Sequence, residues 1–75
     1  MPYIAIKSFP KDEETKKRVA ERINQVILEE VGCAPQAVTI SYEEISPEEW
    51  KEKVVIPEIK PKADKMMIVS GEIRY

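Results

Sequence analysis

A chain of 75 residues makes one domain, and its single cysteine rules out an internal disulfide, so a core this small gains from an oligomer. The formal net charge is −2 with both signs interspersed; no basic stripe with interleaved aromatics is present, and nucleic acid is not an expected partner. Histidine is absent, which removes serine–histidine triads and the commonest metal ligand, so no metal site is expected and Cys33 has no base to activate it.

Pro2 stands directly after Met1 and opens the apolar run Tyr3-Ile4-Ala5-Ile6. Read structurally, the proline simply starts a strand, where a missing N–H costs little. Read chemically, removal of Met1 would turn its amide nitrogen into a free secondary amine. The α-amino reference pKa of about 7.7–8.0 falls when the cation is desolvated or has cationic neighbours, so such an amine can be a general base near neutral pH.

Alternation over Tyr3 to Phe9 predicts a strand with Ile4 and Ile6 on one face, stopped by Pro10. Asp12 sits where an N-cap belongs, with Glu13 and Glu14 in the acidic first turn of a helix of about five turns. Val19, Ile23, Val26, Ile27 and Val31 recur as its apolar stripe, with Ala20 beside them. Glu13–Lys17, Glu14–Arg18 and Lys17–Glu21 are the expected i,i+4 pairs on its wet side, and Gly32 is a natural residue just past its end.

Val38 to Ile45 alternates again, with Val38, Ile40 and Tyr42 on one side and Thr39, Ser41 and Glu43 on the other. Strand, helix and strand on short turns make a βαβ unit with parallel strands and a right-handed crossover. One helix covers one face. The bare second face and two open edges predict that copies of the chain join.

Ser46-Pro47-Glu48-Glu49 has the cap, first-turn proline and acids of a short helical turn presenting Trp50. Pro57 and Pro61 argue against a continuous helix between Val54 and Pro61. A short helix is expected from about Pro61 to Val69, ended near Gly71, with the tail Glu72 to Tyr75 either a brief strand or loose. No apolar run approaches a membrane span and no leader pattern opens the chain, so membrane is not an expected partner; with Cys33 a free thiol, the expected location is cytoplasmic.

The Met1-Pro2 start, the capped amphipathic helix, the Gly32 to Pro35 exit, the alternating second strand and the aromatic after it together resemble the 4-oxalocrotonate tautomerase family. Ile6 to Lys11, Ser46 to Trp50 and Glu58 to Pro61 look most like an enterobacterial branch of that family. The resemblance implies one tautomerase-like domain over residues 1–75, an α/β fold whose sheet is completed by oligomerisation, and a cofactor-independent keto–enol tautomerase for enols of 2-oxo acids. Pro2 would be the catalytic base. Lys11 matches the family's arginine near the helix start and Trp50 its active-site aromatic, both as substrate-binding residues. The second arginine of the hexameric archetype falls at Thr39, so a monocarboxylate such as an arylpyruvate fits better than a dicarboxylate. The archetype's glycine pair after the aromatic is replaced by Lys51-Glu52-Lys53, which tells against its C-terminal hairpin and sets a homodimer ahead of a hexamer. The rival reading is a non-catalytic oligomeric module on the same fold that binds a protein or a small acid.

Overall fold

The computed structural model describes residues 1–75. The chain gathers into two compact units, Met1–Ile45 and Ser46–Tyr75.

The first unit is the expected βαβ: β1 is Tyr3–Ser8, α1 is Glu13–Glu30 and β2 is Thr39–Glu44. β1 and β2 pair in parallel without a slip, from Tyr3 opposite Thr39 to Ser8 opposite Glu44. Main-chain bonds extend the ladder at both ends, with Thr39 N–H donating to the Pro2 carbonyl at 3.1 Å and Ile45 N–H to the Ser8 carbonyl at 2.8 Å. Alternation sets Ile4, Ile6, Ile40 and Tyr42 half-buried on one face, while Tyr3, Ala5, Thr39, Ser41 and Glu43 are exposed on the other. Ile45, directly after β2, is buried.

Asp12 caps α1 in extended conformation, its carboxylate accepting from Thr15 N–H at 3.3 Å. Val31 closes the helix with a bond to the Ile27 carbonyl, and Gly32 follows at φ 73°, the left-handed conformation that glycine adopts without a Cβ penalty. The apolar stripe differs from its expected course. The half-buried positions run Val19/Ala20, Ile23/Asn24 and Ile27/Leu28, whereas Val26 and Val31 are 55% and 60% exposed. A period near four thus selects the packed face, and the two valines off it remain apolar surface. The three expected i,i+4 pairs do not form; Lys16 instead takes Glu13 at i,i+3, 2.8 Å away. Lys16 also faces Glu44 of β2, and that second carboxylate decides which lysine pairs.

In the second unit, Pro47–Glu49 is a single 3-10 turn with Pro47 at its start, and Ser46 Oγ donates to Glu49 Oε1 at 3.1 Å. The expected break between Val54 and Pro61 is corrected. A π-helix runs from Lys51 to Ile59 through Pro57, followed by a 3-10 stretch Lys60–Lys65 kinked at Lys62. Pro57 removes one donor only, the bond from Lys60 N–H to the Val55 carbonyl spans it, and burial of Val54 holds the segment in place. Pro61 lies in the first turn of the next stretch, where its N–H would have had no partner.

The helix expected to reach Val69 ends at Lys65. β3 (Ile68–Val69) and β4 (Glu72–Ile73) form an antiparallel hairpin in its place. The cause is local: Ser70 and Gly71 take φ 49° and 81°, and two consecutive left-handed residues make the two-residue turn that matches strand twist. Gly71 is therefore a turn residue and not a helix stop, and of the two readings of the tail the brief strand is the one seen, as β4. No helix is long and apolar enough to cross a membrane.

Candidate active site

Pro2 is half-buried at the head of β1, on the side of the sheet that carries Ile4 and Ile6. Its carbonyl is fixed by Thr39, so the main chain at the nitrogen of interest is tied to β2 although proline itself donates nothing to the ladder. Met1 is 96% exposed, so little packing holds it on Pro2. Thr39 pairs in register with Tyr3, and its backbone N–H reaches back one residue to the Pro2 carbonyl while its side chain lies on the exposed face with Tyr3.

Lys11 lies beyond the other end of the strand. β1 runs from Tyr3 to Ser8, and six residues at about 3.3 Å each put Pro2 and Lys11 about 20 Å or more apart in one chain. One copy does not bring these two predicted residues together. Lys11 is exposed; its backbone N–H donates to Glu44 Oε2 at 2.9 Å, and its ammonium enters none of the ion pairs of the chain.

Around Lys11 the turn is heavily tied down. Ser8 Oγ donates to the Phe9 carbonyl at 2.7 Å, which uses its only proton, so the 2.6 Å contact with Tyr42 has the phenol donating to the serine. The Thr15 hydroxyl holds the Asp12 carboxyl below its ordinary 3.8, Lys16 holds Glu13 below 4.5, and Glu13 in turn holds the Lys16 ammonium above 10.5. Sequence reading missed Glu44: it is one acid in an exposed Glu43-Glu44 pair, and only the strand register reveals that it faces this turn.

Trp50, in the second unit, is half-buried at the junction of the Pro47–Glu49 turn and the π-helix. With Val55, Ile59, Met66, Ile68, Val69 and Ser70 it lines a cavity of about 320 Å³, partly closed by the β3–β4 hairpin. That lining is apolar apart from Ser70, which suits an aryl or conjugated group better than a charged one. A shallower groove of the first unit, between α1 and β2, holds none of the predicted site residues. No three His, Cys, Asp or Glu side chains converge in an arrangement that could hold a metal ion.

Comparison with known proteins bears on residues of both units. The family model described as Tautomerase enzyme matches residues 2–57. The chain is 41% identical to Tautomerase PptA of Pectobacterium atrosepticum over 66 residues, covering 85% of this chain and 87% of that protein. It is 38% identical to Tautomerase PptA of Pectobacterium carotovorum over the same share of each, and 33% identical to that of an Enterobacter species over 73 residues, 95% of this chain and 96% of the relative.

Proposed function

The chain belongs to the tautomerase family, on its PptA branch, and from that premise we propose that it is an isomerase converting enols of phenylpyruvate-like 2-oxo acids to their keto forms without a cofactor. Its base is the amine of Pro2, freed by removal of Met1. The amine takes the proton of the enol oxygen and returns a proton to the conjugated carbon, so no net proton is consumed. Residues 1–75 act as one domain in a cytoplasmic homodimer.

The observation that carries the proposal is the placement of Pro2: half-buried, its carbonyl pinned to Thr39, and preceded by a residue with almost no packing of its own. Lys11 supplies the cation for the substrate carboxylate, and its distance from Pro2 along β1 means that it does so from a second copy of the chain. The Trp50 cavity receives the aryl group and excludes water from it. Exposed Val26, Val31 and Phe9, with the open face of the sheet, provide apolar and pairing surface for that second copy.

The test is a spectrophotometric ketonisation assay on correctly processed protein with arylpyruvate and hydroxymuconate enols. Acceleration over buffer supports the enzyme reading. No acceleration with any of them removes it and leaves the non-catalytic binding module.

A further inference from the structure

At the end of the sheet away from Pro2, Glu44 does two things at once. It is the last residue of β2, opposite Ser8, and its Oε2 accepts the backbone N–H of Lys11 at 2.9 Å. Its Oε1 lies 3.5 Å from Lys16 Nζ, which also pairs with Glu13 at 2.8 Å and whose side chain is only 18% exposed. Ile45 N–H, bonded to the Ser8 carbonyl, fixes the main chain right after Glu44, and the Asp12 cap fixes the residue after Lys11. Of the two lysines at this corner, Lys16 is consumed by carboxylates and Lys11 is not.

We propose that Glu44 is a positioning residue for recognition of the substrate carboxylate: it anchors the backbone of Lys11 and so places the Lys11 ammonium, while Glu13 keeps Lys16 paired. This rests on the reading of Lys11 as the carboxylate-binding residue. A lysine head group is a compact charge on a flexible stem and lacks the planar fork that aims an arginine. Its direction must come from where its main chain is held. A carboxylate accepting from a backbone N–H makes a charge-assisted bond, stronger than a neutral one, and it is the bond that restrains Lys11 in the turn between Pro10 and the Asp12 cap. Glu13, 2.8 Å from Lys16, keeps that second ammonium paired whichever residue stands at position 44.

The experiment measures KM and kcat for ketonisation of an arylpyruvate enol, together with melting temperature, for processed full-length wild type, Glu44→Gln, Glu44→Ala, Lys11→Ala and the Glu44→Ala/Lys11→Ala double variant. Glutamine keeps an acceptor for the Lys11 N–H and is expected to hold KM within about two-fold of wild type, whereas alanine raises KM about five-fold with kcat little changed. In the Lys11→Ala background, Glu44→Ala is expected to add nothing further to KM, because it acts through Lys11. Effects of the two alanines that multiply, a glutamine variant as impaired as the alanine one, or an unchanged KM in Glu44→Ala overturn the positioning role while the Lys11 reading stands. An unchanged KM in Lys11→Ala overturns both. Should Glu44→Ala fail to fold, Glu44→Val, which suits a strand end and offers no acceptor, takes its place in the same comparisons, alone and with Lys11→Ala.

Discussion

Thr39 donates its backbone N–H to the carbonyl of Pro2 at 3.1 Å, which ties the first residue of β2 to the residue just ahead of β1. The Thr39 side chain itself lies on the exposed face of the sheet, with Tyr3 and Ala5.

Because that bond is made by main chain, Thr39→Arg leaves it intact and adds a charge at the head of β2, where we propose that a second substrate carboxylate would be read. The ratio of kcat/KM for a dicarboxylate enol to that for a monocarboxylate enol is expected to rise about ten-fold, the scale of one added charge contact in a partly desolvated site. Steady-state kinetics on the two substrate classes check this. An unchanged ratio would mean that the second carboxylate is not read at position 39.

Pro2 and Lys11 sit at opposite ends of β1, so a site using both is shared between copies. Lys11→Ala is expected to raise KM more than it lowers kcat. Refolding a mixture of Pro2→Ala and Lys11→Ala chains should give more activity than the two separately, since some mixed assemblies contain one site with both residues intact. Sedimentation equilibrium at micromolar concentration is expected to show a homodimer. A monomer, or a mixture no better than its parts, contradicts the shared site.

Stability should fall in acid. Asp12 is held below 3.8 by the Thr15 hydrogen bond, Glu13 below 4.5 by Lys16, and Glu49 below 4.5 by Lys53. With folded pKa values lower than unfolded ones, the unfolded chain binds more protons in acid, so this stabilisation is full above the unfolded values and is lost as pH falls through the folded ones. Lys16 has the opposite sign: raised above 10.5 in the fold, it contributes below that value and the contribution is lost as pH rises through the folded pKa. The three carboxylates are exposed and screened, and Lys16 pairs with exposed acids, so each step is small. Thermal melts should be nearly flat from about pH 6 to 9 and decline below about pH 4.5, with a shallower acid limb for Asp12→Asn, which keeps a capping oxygen. A melting temperature that rises between pH 5 and 3 would contradict this.

Gly71 takes φ 81° beside Ser70 at φ 49°, and a Cβ built at Gly71 meets nothing within 4 Å. A substitution there strains the backbone without a clash. Gly71→Val should lower stability by about 1–2 kcal/mol and Gly71→Asn by less, because a β-branched residue tolerates the left-handed region poorly and asparagine tolerates it well. Urea denaturation measures the difference; equal stability of all three proteins would argue against the two-residue turn.

The first unit was legible because its signals are local and agree: alternation in Tyr3 to Phe9 and Val38 to Ile45, and an Asp12 cap ahead of an acidic turn, all describe one βαβ unit. The second unit was not. Pro57 reads as a breaker, yet burial of Val54 and a bond that spans the proline carry the π-helix through it. Ser70-Gly71 reads with the preceding residues as a helix end, although Ile68 and Val69 before it are β-branched and favour a strand. Of the proposed site, the Met1-Pro2 start alone reads as an ordinary strand opening, and Pro2 stands out only through the family resemblance of the rest of the chain; the span of β1 separates it from Lys11. Glu44 depends on the pairing register between strands distant in sequence, which no local pattern encodes.

The central claim is that the Pro2 amine is the base, and the most direct measurement assays ketonisation on fractions whose N-terminus has been fixed by intact mass. Chains beginning at Pro2 and chains retaining Met1 differ in one exposed residue and in whether that nitrogen carries a basic lone pair. The account predicts that activity scales with the fraction of chains beginning at Pro2 and is absent from a pure Met1-bearing fraction. Equal rates from the two fractions would contradict it.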